Sequence, residues 1–144
     1  MSIRDNILKI KEEIGDEAKL VAVSKTRSTK EINDAYNSGQ KIFGENRVQE
    51  IVEKQKLLPD DIEWHMIGHL QKNKVKYISS FISLIHSLDR ISLAKEIDKY
   101  AKKSSREIDC LIQLKISSEE TKFGLDINHL EDFYSEVKKY NNIN

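Results

Sequence analysis

Leu20-Val21-Ala22-Val23-Ser24-Lys25-Thr26 is a run of four apolar residues closed by a hydroxyl, an amine and a second hydroxyl. Such a run reads as a short buried strand of a parallel sheet, ending on a reactive group. In parallel α/β folds the carboxyl ends of the strands collect the chemistry, which places Lys25 at the mouth of a pocket whose desolvation favours a neutral amine. A neutral lysine amine attacks aldehydes and forms a Schiff base. A lysine closing a strand also serves as a plain solvated charge, and the stretch alone does not separate the two.

On the amino-terminal side, Ile3, Ile7, Ile10 and Ile14 recur at helical spacing from a Ser2 cap to Gly15, predicting a helix ahead of the first strand. On the other side, Ser28 with Glu31 forms a capping box, Ile32, Ala35 and Tyr36 make a packing stripe, and Gly39 stops the helix. The pattern then repeats. Strands are expected at Lys41-Ile42-Phe43, at Glu63 to His69, at Ser83 to Leu88, and at Asp109 to Ile116, the longest and most apolar. Between them fall helices carrying Val48, Ile51 and Val52 (ended by Pro59), then Val75 and Ile78, then Leu93, Ala94, Ile97 and Ala101. A last helix presents Ile127, Leu130, Tyr134 and Val137 beyond a polar loop, Ser117 to Gly124. Regular alternation of short strands and helices implies parallel βα units, hence a doubly wound sheet or a (β/α) barrel. About five strands are visible where a closed barrel uses eight. The chain stops directly after a helix, where another strand is expected, and bare sheet edges follow from that reading.

Composition narrows the function classes. The 144 residues hold 24 Lys plus Arg against 24 Asp plus Glu, so no global pull toward nucleic acid or an anionic membrane is expected. No apolar run approaches the roughly 20 residues of a membrane span, and Met1 leads into an amphipathic pattern instead of a signal segment, which points to the cytoplasm. The single cysteine, Cys110, lies in an apolar run and reads as core. Neither G-x-G-x-x-G nor G-x-x-x-x-G-K-[ST] occurs among the 5 glycines, and no G-x-S-x-G elbow positions a serine. Lys72, Lys74 and Lys76 spread around a helix surface and read as solvated.

Polar groups gather at the predicted strand ends: Lys25; Gly44, Glu45 and Asn46; Gly68 and His69; His86, Ser87 and Asp89. A glycine after a strand admits close approach to the backbone, and an amide such as Asn46 hydrogen-bonds a flat ring without adding charge. Asn46 and Ser92 read equally well as helix caps. His65 alternates within its strand as a core histidine would. His69 and His86 lack the partners and spacing of a metal site, so no metal is expected.

Four segments, Val21-Ala22-Val23-Ser24-Lys25-Thr26, Phe43-Gly44-Glu45-Asn46-Arg47-Val48-Gln49-Glu50, Trp64-His65-Met66-Ile67-Gly68-His69-Leu70-Gln71-Lys72-Asn73-Lys74 and His86-Ser87-Leu88-Asp89-Arg90, occur in this order. Together they resemble the pyridoxal phosphate homeostasis proteins, single-domain relatives of the alanine racemase barrel also called the proline synthetase co-transcribed family. The resemblance runs through Lys122-Phe123-Gly124. It implies an α/β fold, the (β/α)8 TIM-barrel type of the alanine racemase N-terminal domain, here with about five βα units after an N-terminal helix. Residues 1–144 would then be a single pyridoxal-phosphate-binding barrel domain whose C-terminal strands are missing. It further implies pyridoxal 5′-phosphate (PLP) held on Lys25 as an internal aldimine, with Asn46, His65, Ile67, Gly68 and His86 walling the ring. Arg27, Lys122 and Gly124 match further recurrent positions. Lys115 stands where the family usually has Asn, and Phe123 where it commonly has a small residue. The family's Ser-Met-Gly-Met-Ser turn and Arg-x-Gly segment, which hold the phosphate and ring nitrogen, are not among these residues, which implies weak reaction of Lys25 with PLP.

Three readings follow. The first is a PLP carrier without substrate turnover, monomeric in the family, serving PLP homeostasis and passing the aldehyde to apo PLP enzymes. The second is a PLP-dependent amino-acid racemase, which in this fold also needs a tyrosine from a second domain. The third is a truncated fragment that self-associates through its bare edges.

Overall fold

The computed structural model describes residues 1–119 and 122–144. Its first helix, α1 (Ile3–Ile14), starts at a reciprocal cap: Ser2 Oγ accepts the Asp5 N–H at 3.1 Å while the Asp5 carboxylate accepts the Ser2 N–H at 3.0 Å. Then follow β1 (Ala22–Val23), α2 (Thr29–Asn37), β2 (Ile42–Glu45), α3 (Val48–Gln55) and β3 (Glu63–Met66). A 3₁₀ turn at Lys72–Tyr77 leads to β4 (Leu84–Leu88), α4 (Ile91–Lys103) and β5 (Asp109–Ile112). A second 3₁₀ turn, Ile127–His129, opens into α5 (Leu130–Val137).

The strands form one parallel sheet in the order β1-β2-β3-β4-β5. Side chains alternate across a strand, so the register assigns every residue to a face. Ala22, Phe43 and Trp64 share the helix-covered face, where Phe43 and Trp64 are almost fully buried with ring centroids 6.1 Å apart. Burying aromatic side chains of this size contributes about 2–3 kcal/mol each. Helix α4 lays Leu93, Ala94, Ile97 and Ala101 on the same side, all fully buried, as its period predicts. The opposite face carries Val23, Gly44, His65 and Leu84 in one row. It is open: Val23 is 53% exposed and Leu111 49%.

Several sequence expectations shift. The segment with Val75 and Ile78 is a 3₁₀ turn and not an α-helix, yet both side chains are fully buried. Strand β5 ends at Ile112, and the chain continues into a single parallel bridge between Leu114 and Leu125. In α5 the buried residues are Phe133 and Val137, whereas Tyr134 and Ile127 are exposed. The 3₁₀ start rotates the helix, so a stripe counted at α spacing from Ile127 reaches the core at Val137 but misses Phe133. The strand expected after the last helix begins at the chain's end: Ile108 bridges Ile143 in parallel, and the Cys110 N–H donates to Asn144 O at 2.9 Å. The loop expected at Ser117 to Gly124 includes residues 120 and 121, which lie outside the described residues. Among the described residues, no helix is long and apolar enough to cross a membrane.

Candidate functional site

The carboxyl end of β1 is a tight turn. The Ser24 N–H extends the ladder to Gly44 O at 3.0 Å, and the Arg27 N–H returns to Ser24 O at 3.0 Å, which leaves Lys25 and Thr26 at the tip. Lys25 is exposed, and among the described residues no pocket encloses it. Its strand borders the uncovered sheet face, and the described residues supply no opposing wall. Thr26 has φ 62°, left-handed backbone that β-branched residues rarely adopt, at a cost on the order of 1 kcal/mol or more.

Beneath that tip lies a charged cluster that sequence reasoning missed. Lys54 of α3 is buried and donates to Ser24 O at 2.8 Å, Glu45 Oε1 at 2.5 Å and Glu50 Oε2 at 3.0 Å. Ser24 Oγ donates to the same Glu45 oxygen at 2.7 Å, and Glu50 Oε2 accepts the Thr26 N–H at 3.1 Å. Burial pushes the Glu45 carboxyl above the usual range against the pull of Lys54, and its Oε2 has no hydrogen-bond partner among the described residues. The Lys54 hydrogen bond, followed by the Thr26 N–H, holds Glu50 below it. A sequence signal existed: Glu50 and Lys54 stand four residues apart on one helix, and Glu45 ends a strand whose neighbours are all apolar or glycine.

The structure brings the other candidate residues onto one rim. Gly68, just past β3, lies so close to the turn after β2 that a Cβ there would sit 2.7 Å from Asn46 O and 2.9 Å from its Cα. A Cβ at Gly44 would sit only 3.1 Å from side-chain atoms of Val21 and Ile67. His65 Nδ1 and His86 Nε2 are 2.9 Å apart on the open face. Asn46 is exposed and caps nothing; Arg47 occupies the N-cap of α3 without a side-chain bond, and Arg90, not Ser92, that of α4. His69 stacks on Phe123 at 3.6 Å between centroids, and the buried Asp89 carboxylate receives the Gly124 N–H at 3.1 Å, tying the far loop to this rim. A cavity of about 610 Å³ lies behind the rim, touching Asn46, His69 and Met66 but not Lys25. Lys72, Lys74 and Lys76 are exposed, the last two over the Tyr77 ring at 5.8 and 5.1 Å, as solvated lysines would be.

The chain is similar to the pyridoxal phosphate homeostasis protein of Aquifex aeolicus, 46% identical over 127 residues that cover 88% of this chain and 56% of that protein. It also overlays PipY of Synechococcus elongatus solved without PLP, with a TM-score of 0.93 at 32% identity, covering 99% of this chain and 67% of that one. PipY with PLP bound gives a TM-score of 0.90 at 31% identity, over 99% and 66% of the two chains. The chain thus spans about half the length of the curated relatives it matches. Its five βα units are an incomplete α/β barrel of the alanine racemase N-terminal type, shared at the level of fold with racemases at 14–16% identity. Residues 1–144 match the family described as alanine racemase, N-terminal domain, along their whole length, and the chain belongs to that family.

Proposed function

We propose that residues 1–144 act as one PLP-binding unit that carries the cofactor on Lys25 for intracellular PLP homeostasis, without turning over a substrate. The observation that carries this reading is the rim itself. An accessible amine at the end of β1 shares one end of a parallel sheet with a free amide, Asn46, and with Gly68, while Ile67, His65 and His86 share the open face. PLP supplies an aldehyde that condenses with a lysine amine. The residues present fit the aldehyde and ring end of that group: Gly44 and Gly68 leave the strand tips without side chains, and Asn46 spends its amide on no cap. Burial pushes the His65 imidazole down to about 4 and lowers that of His86, so both are neutral at pH 7 and can meet an aromatic ring without charge repulsion or added desolvation cost. Relatives named pyridoxal phosphate homeostasis protein and the PLP-bound PipY structure support the same reading. Handing the aldehyde to apo PLP enzymes in the cytoplasm belongs to it.

The test is chemical marking. Protein mixed with PLP and reduced with borohydride should carry a pyridoxyl group on Lys25, and Lys25→Ala should remove it. A mark spread evenly over surface lysines overturns the assignment. Steady change in the chirality of an added amino acid overturns the absence of turnover.

A further inference from the structure

We infer that Glu50 and Lys54 are positioning residues that set the direction of Lys25, an inference that rests on the cofactor role proposed for that lysine. They hold the turn from both sides. Lys54 Nζ fixes the carbonyl of Ser24, the residue before Lys25, and Glu50 Oε2 fixes the N–H of Thr26, the residue after it. The two side chains are joined at 3.0 Å, one turn apart on α3, so the helix grips the tip of β1 as a rigid piece.

Two features show that this is more than packing. Thr26 is held in left-handed backbone, a state that persists only where surrounding contacts impose it, and its N–H bond to Glu50 is such a contact. Second, the cluster is buried and ionic. Glu45 is fully buried and Lys54 has a side chain 10% exposed, whereas well-packed apolar residues would hold a helix on a sheet at least as firmly. What apolar residues cannot do is point at one carbonyl and one N–H of a turn. The Glu45 carboxylate and the Ser24 hydroxyl complete the set of partners that keeps the Lys54 amine in place.

The experiment compares wild type with Glu50→Ala, which removes the Thr26 contact and leaves Lys54 paired with Glu45, and with Lys54→Arg, which keeps the charge. Lys54→Met paired with Glu45→Gln frees the Ser24 carbonyl without stranding the buried Glu45 carboxylate, and leaves Glu50, with a side chain 25% exposed, on the Thr26 N–H. Three quantities are read: Thr26 amide exchange, reductive methylation of Lys25 by formaldehyde relative to exposed Lys9 across pH, and pyridoxyl marking of Lys25. In Glu50→Ala, Thr26 exchange should rise by about tenfold or more, since a hydrogen bond to a charged acceptor is lost. The Lys25-to-Lys9 methylation ratio should change with pH in a new way, and marking of Lys25 should fall by roughly tenfold, because direction of attack governs such condensations. Lys54→Arg should restore most of each. If wild type is marked on Lys25 and both variants match it in all three quantities, the inference fails while the proposed function stands. If wild type itself is not marked, the proposed function fails, and methylation with Thr26 exchange, which need no cofactor, decide the clamp: unchanged values overturn it and altered values uphold it.

Discussion

His65 Nδ1 and His86 Nε2 share one hydrogen bond at 2.9 Å, tying β3 to β4 across the open face of the sheet. One ring must donate and the other accept, so the bond needs at least one neutral imidazole. Desolvation, with smaller repulsion from His86 and Lys19, lowers His65 to about 4 from an ordinary 6.5. The folded state therefore binds this proton less readily than the unfolded chain, so stability is complete above pH 6.5 and falls as pH drops toward 4. Wild type should lose on the order of 3 kcal/mol more across that window than His65→Gln, in which the lowered His86 still titrates. Urea unfolding at pH 7 and pH 4.5 checks this; equal losses in both proteins would contradict it.

Gly68→Ala should destabilise the fold by about 1–3 kcal/mol, because the new Cβ meets the backbone of Asn46 and backbone does not yield as a side chain does. Gly44→Ala should cost less, since its nearest neighbours are the side chains of Ile67 and Val21. Urea midpoints for the two variants, at constant m-value, give the comparison.

The α2 cap is reciprocal, with the Ser28 N–H to Glu31 at 2.8 Å and the Glu31 N–H to Ser28 Oγ at 3.3 Å. Ser28→Ala should cost about 1 kcal/mol, seen as a melting point about 3 °C lower. Because α2 follows the Lys25 turn, an unchanged melt would mean that the turn and not the cap fixes the helix start.

Burial, with a lesser push from Asp109, raises the Cys110 thiol to about 12. At pH 8 the thiolate is then on the order of one part in ten thousand, so native protein should react with a thiol reagent far more slowly than protein in urea. Equal rates would place Cys110 outside the packed region that includes Ile112 and Ile108.

The alternation of strands and helices, the Ser28–Glu31 capping box and the α4 stripe were legible because each rests on local spacing that packing then reinforces. The rim was legible as a set, since parallel βα units place every strand end on one side. What escaped were features decided between elements. Strand β1 is two residues long because only Ala22 and Val23 find partners in β2, although the apolar run is longer. The core side chain Phe133 was hidden by the 3₁₀ turn ahead of α5. Lys54 was not singled out in the sequence; only the folded register shows that its amine reaches back 30 residues to Ser24. Whether Lys25 is solvated or enclosed stayed open in the sequence, which shows where a strand ends but not what stands opposite it.

Every neighbour in the sheet is also the neighbour in the chain. Each strand can therefore dock as soon as it leaves the ribosome, on a template already made, with no wait for a distant partner. Growth then proceeds in one direction, from the amino end onward, and the advancing edge is always the newest strand. Ile143, laid beside Ile108, is that edge in this chain.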